Sequence, residues 1–140
     1  MKSGSIILIE DDIDDRDIFS DILKELQVPN VLNWFDNCND AFAYLKAMDE
    51  QPFIIFSDVN LPGLNGIDFK RKIDEDPELR RKSIPFIFYS TSVDQHIVNK
   101  AYTEMTVQGF FQKKSSFAEI RTTIKLIIEY WHVCTHPNTS

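Results

Sequence analysis

The sequence predicts a doubly wound α/β domain, a five-stranded parallel sheet with helices on both faces. Three observations predict it. The runs Ile6-Ile7-Leu8-Ile9, Phe53-Ile54-Ile55-Phe56 and Phe86-Ile87-Phe88-Tyr89 are apolar at every position, as strands covered on both faces require. Between them the apolar residues recur at helical spacing. The two patterns alternate along the chain without repeats or low-complexity linkers, which implies βα units joined by right-handed crossovers.

The elements follow in order. Ile6–Ile9 is the first strand, and Ile18, Phe19, Ile22, Leu23 and Leu26 stripe the first helix. Val31-Leu32-Asn33-Trp34-Phe35 is mixed enough for an edge strand, and Ala41, Phe42, Tyr44, Leu45 and Met48 mark the second helix. After the third strand come Ile67, Phe69 and Ile73; after the fourth, Ile97, Val98, Ala101 and Met105. Val107 to Gln112, holding Phe110 and Phe111, is the fifth strand, followed by Ile120, Ile124, Ile127, Ile128 and Trp131. Ser92 with Gln95 and Ser116 with Glu119 form capping boxes. Pro29, Pro52, Pro77 and Pro85 fall at joints, where a missing amide proton does least harm. A (βα)5 chain of this kind suits the flavodoxin-like strand order 2-1-3-4-5, whose ligand crevice lies at the C-terminal ends of strands 1 and 3.

A chain of 140 residues with 43% hydrophobic and 26% charged side chains suits one globular domain over residues 1–140. Its core is expected at about residues 5–131, with 132–140 as a flexible tail. The 22 acidic side chains outnumber the 15 basic ones, and the net charge of −7 opposes a nucleic-acid partner. Arg80-Arg81-Lys82, the dense basic stretch, reads as a solvated loop. No apolar run approaches the ~20 residues of a membrane span, and the start has no signal-peptide core. Cys38 and Cys134 lack framework spacing, so a reduced, cytoplasmic protein is expected.

Chemistry gathers at the strand ends. Strand 1 ends in Glu10-Asp11-Asp12 and strand 3 in Ser57-Asp58, which adjacent strands bring together. Two carboxylates ~5 Å apart repel by about 3 kcal/mol at an effective dielectric of ~20, so such a cluster calls for a cation or a shared proton. Mg2+ suits an all-oxygen site with few protein ligands. Asp11 or Asp12 could equally cap the first helix. Ser90-Thr91 after strand 4 and Lys113-Lys114 after strand 5 bring hydroxyls and an ammonium to the same edge. These parts suit phosphoryl transfer onto a carboxylate, which depends on positioning and electrostatic stabilisation.

Asp58-Val59-Asn60-Leu61-Pro62-Gly63-Leu64-Asn65-Gly66 resembles the phosphoacceptor loop of the receiver domains of two-component response regulators. Glu10-Asp11, Ser90 and Lys113 follow the same family's order, and the resemblance covers nearly the whole chain. It implies a stand-alone response regulator whose Asp58 accepts a phosphoryl group. Asp11 and Asp58 would bind Mg2+ with the Asn60 backbone carbonyl, and Glu10 would hold metal-bound water. Lys113 would contact phosphoryl oxygens, Ser90 would hydrogen-bond the phosphoryl group, and Phe110 would stand in for the switch aromatic. The expected partners are a sensor histidine kinase or histidine phosphotransfer protein and a downstream protein target, engaged by contact or onward phosphotransfer. Such a module is not a turnover enzyme.

Three positions depart from the family pattern. Lys114 replaces the usual proline after Lys113, where a cis bond without proline costs roughly 2.5–4 kcal/mol. Thr91 stands where Ala or Gly is common, and Phe110 lacks the hydroxyl of Tyr. The acidic pair reads as Glu10-Asp11, with Asp11-Asp12 as the other register. A Mg2+-dependent phosphohydrolase with an aspartyl intermediate is the alternative function. Asp12-Ile13-Asp14 brings haloacid-dehalogenase-type phosphatases to mind, but Arg16 occupies a position that motif gives to Thr or Val. His132, Cys134 and His136 could hold a transition metal, although Pro137 and the polar end favour a frayed tail.

Overall fold

In the computed structural model, which describes residues 4–91 and 94–137, five parallel strands hydrogen-bond in the order β2-β1-β3-β4-β5. The strands are β1 Ile6–Ile9, β2 Leu32–Phe35, β3 Ile54–Ser57, β4 Phe86–Ser90 and β5 Gly109–Gln112. The helices are α1 Ile13–Glu25, α2 Cys38–Ala47, α3 Gly66–Glu75, α4 Pro77–Lys82, α5 Gln95–Glu104 and α6 Phe117–Val133. This is the flavodoxin-like doubly wound fold that the alternating runs predict.

The all-apolar runs are explained by burial on both sides. Alternate side chains of a strand point to opposite faces. Ile7, Ile9, Ile55, Phe86 and Phe88 pack beneath α2 to α5, whereas Ile6, Leu8, Ile54, Phe56, Ile87 and Tyr89 pack beneath α1 and α6. Phe19 of α1 meets Phe56 edge-on, with ring centroids 5.0 Å apart. Each such side chain contributes about 1.5–3 kcal/mol by leaving water. In register, Ile9 stands opposite Ser57 and Tyr89 opposite Phe111. The strands therefore end together, and Glu10, Asp58, Thr91 and Lys113 emerge along one edge.

Several expectations need correction. Arg80-Arg81-Lys82 closes a helix, α4, rather than forming a loop. Pro77 opens α4, the Asp76 side chain accepts from the amides of Glu78 and Leu79, and buried Leu79 anchors it. A helix this short holds only with a cap and a tertiary contact. The fourth predicted helix begins at Gln95 with Asp94 as its cap; Ser92, expected in that role, lies outside the described residues. Ser116 caps α6 as expected, its hydroxyl accepting from the Glu119 amide, and that hydroxyl donates in turn to the Glu119 carboxylate.

The expected tail is also partly structured. His136 is 3% exposed, its Nε2 lies 2.6 Å from the Phe53 carbonyl oxygen, and its ring packs against Phe53 and Trp131. The imidazole is thus committed to the backbone just before β3 rather than to a metal. Among the described residues, no helix is long and apolar enough to cross a membrane.

Candidate functional site

Asp58 is placed by the strand that precedes it and the loop that follows. Its amide donates to the Ile9 carbonyl at 3.1 Å, extending the β1–β3 ladder by one rung. Its own carbonyl accepts the Ser57 hydroxyl. The loop then returns to start α3, where the Gly66 amide donates to the Val59 carbonyl at 2.9 Å. A Cβ on Gly66 would sit 2.1 Å from the Asp58 carbonyl oxygen, so only glycine allows the helix to begin this close. Gly63, at φ +73°, makes the turn between them.

The Asp58 carboxylate is nearly buried and fully engaged. Oδ1 accepts the Ser90 hydroxyl at 2.8 Å and the Asn60 amide at 3.1 Å. Oδ2 accepts Lys113 Nζ at 3.0 Å. Lys113 also donates to Glu10 Oε1 and, at 3.0 Å, to Asp15 Oδ2. Its backbone amide donates to the Ser90 carbonyl, so β4 aims it. The Lys113–Lys114 peptide is trans, as are all peptides among the described residues.

Glu10, Asp11 and Asp58 each offer a carboxylate oxygen within 4.8 Å of the others. Glu10 is 2% exposed and Asp11 is at the surface. Burial pushes the Glu10 carboxyl up to about 7, reinforced by the Asp58 charge and opposed by Lys113. Burial also disfavours the Lys113 ammonium, but Glu10 and Asp58 outweigh it and raise Lys113 above its ordinary value. Four carboxylates, with Asp15, against one ammonium leave an excess negative charge beside an open rim. Hard, oxygen-seeking cations such as Mg2+ fit this donor set.

The alternative register loses its second residue to another task. Asp12 caps α1, its side chain accepting from the amides of Asp14 and Asp15. Of the remaining candidates, Ser90 is buried against Asp58, and Thr91 is exposed on the rim. Phe110 is half-buried on the α5 side, its ring 5.3 Å from that of Phe88 and outside the carboxylate cluster.

Two participants escaped sequence reasoning. Asp15 reaches Lys113 from the first turn of α1, across 98 positions of the chain, and no local pattern announces that contact. Trp34, assigned only to an edge strand, donates its Nε1 proton to the Glu10 carbonyl at 2.7 Å. The Arg16 guanidinium lies 4.4 Å from the centre of its ring.

A doubly wound sheet whose switch-point crevice carries clustered carboxylates, one hydroxyl and one ammonium suits a domain that handles a cation and a phosphoryl group. The sequence model for the response regulator receiver domain matches residues 6–125, and the chain belongs to that family. It is 28% identical over 120 residues to the sensory transduction protein LytT of Bacillus subtilis, covering 86% of this chain and 46% of LytT. With response regulator Rcp1 of Synechocystis it shares 26% identity over 131 residues, 90% of this chain and 87% of Rcp1. The structure of Mn(2+)-bound Rcp1 superposes with a TM-score of 0.84 at 25% identity, over 96% of this chain and 99% of that one. That of the phosphorylated cyanobacterial phytochrome response regulator RcpA gives 0.86 at 26% identity, over 97% and 99%.

Proposed function

We propose that this receiver domain takes a phosphoryl group onto Asp58 from the phosphohistidine of a sensor histidine kinase or histidine phosphotransfer protein. The observation that carries this reading is the pair of donors on one buried carboxylate, Ser90 on Oδ1 and Lys113 on Oδ2. They fix the nucleophile's orientation and lie where charge will accumulate on the phosphoryl oxygens.

In the transfer, a carboxylate oxygen of Asp58 forms a bond to phosphorus while the donor's phosphorus–nitrogen bond breaks. The imidazole leaves with the bonding electron pair and takes up a proton from water. Lys113 and the Ser90 hydroxyl supply hydrogen bonds to the new oxygens. Glu10, Asp11, Asp58 and the backbone carbonyl of Asn60 would hold Mg2+, which supplies positive charge to the transferring group. Relatives crystallised in a phosphorylated form and with Mn(2+) support this chemistry by analogy.

The output is protein contact or onward phosphotransfer, through a face formed by α5, β5 and α6, with Phe110 and Thr91 linking it to the site. A cytoplasmic location goes with such a donor, and no nucleic-acid or membrane partner is part of the reading. Incubation with a small phosphodonor and Mg2+, followed by intact mass, tests it. Wild type should gain one phosphoryl group, about 80 Da, in a base-labile form, and Asp58→Ala should gain none. Steady release of phosphate from phosphomonoesters would instead indicate a phosphohydrolase.

A further inference from the structure

Three carboxylates hold Lys113, and one of them, Asp15, belongs to no part of the site that the sequence predicts. The Lys113 ammonium has three N–H donors, and Glu10, Asp15 and Asp58 take them all. The three acceptors differ in their access to water. Their side chains are 3%, 36% and 9% exposed, in that order. A carboxylate leaves an ammonium at least cost where water replaces the lost hydrogen bond, which singles out Asp15.

The surroundings give Asp15 somewhere to go. It lines a small cleft together with Tyr89, Thr91, Lys113 and Lys114. Lys114 is exposed there and takes no part in the cluster around Lys113. Asp15 also stands within about 6 Å of Asp58, since an oxygen of each lies 3.0 Å from the same nitrogen. At that range its charge opposes the arrival of an anionic phosphoryl group.

Resting on the reading of Asp58 as phosphoacceptor, we propose that Asp15 is a positioning residue that competes with the phosphoryl group for Lys113. It holds one N–H of Lys113 while Asp58 is a free carboxylate. It cedes that N–H when phosphorylation brings three terminal oxygens to the site, and turns toward Lys114. Asp15 thereby sets how much donor is needed to charge the protein.

The test is phosphoryl occupancy by intact mass, on the full chain, across a series of acetyl phosphate concentrations with Mg2+. Asp15→Asn should reach half-occupancy at roughly three- to tenfold less donor than wild type. Asp15→Glu should restore the wild-type requirement. In a Lys113→Ala background the effect of Asp15→Asn should shrink to the part owed to direct repulsion between the Asp15 charge and the phosphoryl group. An unchanged or higher requirement in Asp15→Asn overturns the proposal, as does an equal shift with Lys113 absent. A donor-free measurement accompanies it: acetylation of lysines by an amine-reactive ester in metal-free protein. Lys113 should label several-fold faster in Asp15→Asn, with Lys125 unchanged; equal labelling of Lys113 also overturns the proposal. If wild type gains no phosphoryl group, the functional reading and the competition both fall, while the labelling still reports the Asp15–Lys113 contact.

Discussion

The backbone amide of Lys113 donates to the carbonyl of Ser90 at 2.8 Å, and the Ser90 hydroxyl donates to Asp58 at 2.8 Å. One residue at the end of β4 therefore aims the ammonium with its main chain and the nucleophile with its side chain. The spacing between the two donors around Asp58 is set by the β3–β4–β5 ladder.

Removing the Ser90 hydroxyl leaves a buried carboxylate oxygen with one donor fewer. A lost hydrogen bond to a charged group costs about 1.5–3 kcal/mol. Ser90→Ala should therefore slow phosphoryl uptake roughly tenfold or more, with Ser90→Thr closer to wild type. Time courses of intact mass with a small donor check this.

Asp11 contributes repulsion in the metal-free protein and attraction only toward a cation. Asp11→Asn should leave the metal-free fold unharmed or stabilise it by up to about 1 kcal/mol. It should also erase the stabilisation by Mg2+, about 1.4 kcal/mol for wild type at ten times Kd. Melting curves in chelator and in Mg2+ decide it; an equal Mg2+ increment in the variant removes Asp11 from the ligand set.

Two glycines of the phosphoacceptor loop should behave differently. Gly66→Ala drives a methyl group into the Asp58 carbonyl oxygen, 2.1 Å away, costing about 1–3 kcal/mol or more and displacing Asp58. Gly63→Ala meets nothing within 4 Å but keeps a positive φ, costing about 1–2 kcal/mol without moving Asp58. Urea unfolding should show both losses, and phosphoryl uptake should fall sharply in Gly66→Ala alone.

Acid should weaken the contact between α3 and the loop before β5. Burial pushes the Asp74 carboxyl up, but hydrogen bonds from Lys70 and from the Thr106 amide and hydroxyl outweigh it, leaving it below its ordinary 3.8. A carboxylate depressed in the folded state contributes stability above its unfolded value, and that contribution fades as pH falls through the folded one. Asp74→Asn should thus be about 2–3 kcal/mol less stable at pH 7. The gap should narrow as urea unfolding is repeated from pH 5 down to pH 2.

Lys70 shows where linear reading ends. The helical stripe of α3 was legible as Ile67, Phe69 and Ile73, yet Lys70 among them is 3% exposed. Its ammonium is satisfied by Asp74 one turn on and by Thr106, 36 residues later in the chain. Nothing near Lys70 in sequence announces the second partner. The contacts of Asp15, Trp34 and His136 escaped for the same reason, since each joins residues more than 20 positions apart.

The sequence by itself determined the five βα units and the loop motif that carries the family resemblance, and these suited one sheet order. These rest on local periodicity and on a loop motif whose residues are neighbours in the chain, so the physics that shapes them acts over a few residues. Only the tertiary structure decided which carboxylates share Lys113, that Asp12 serves α1 rather than the cluster, and that a six-residue α4 forms at all. Those outcomes depend on competition among groups of like chemistry for a few buried donors. Such competition is settled by distance and burial, quantities that exist once the strands have been laid side by side.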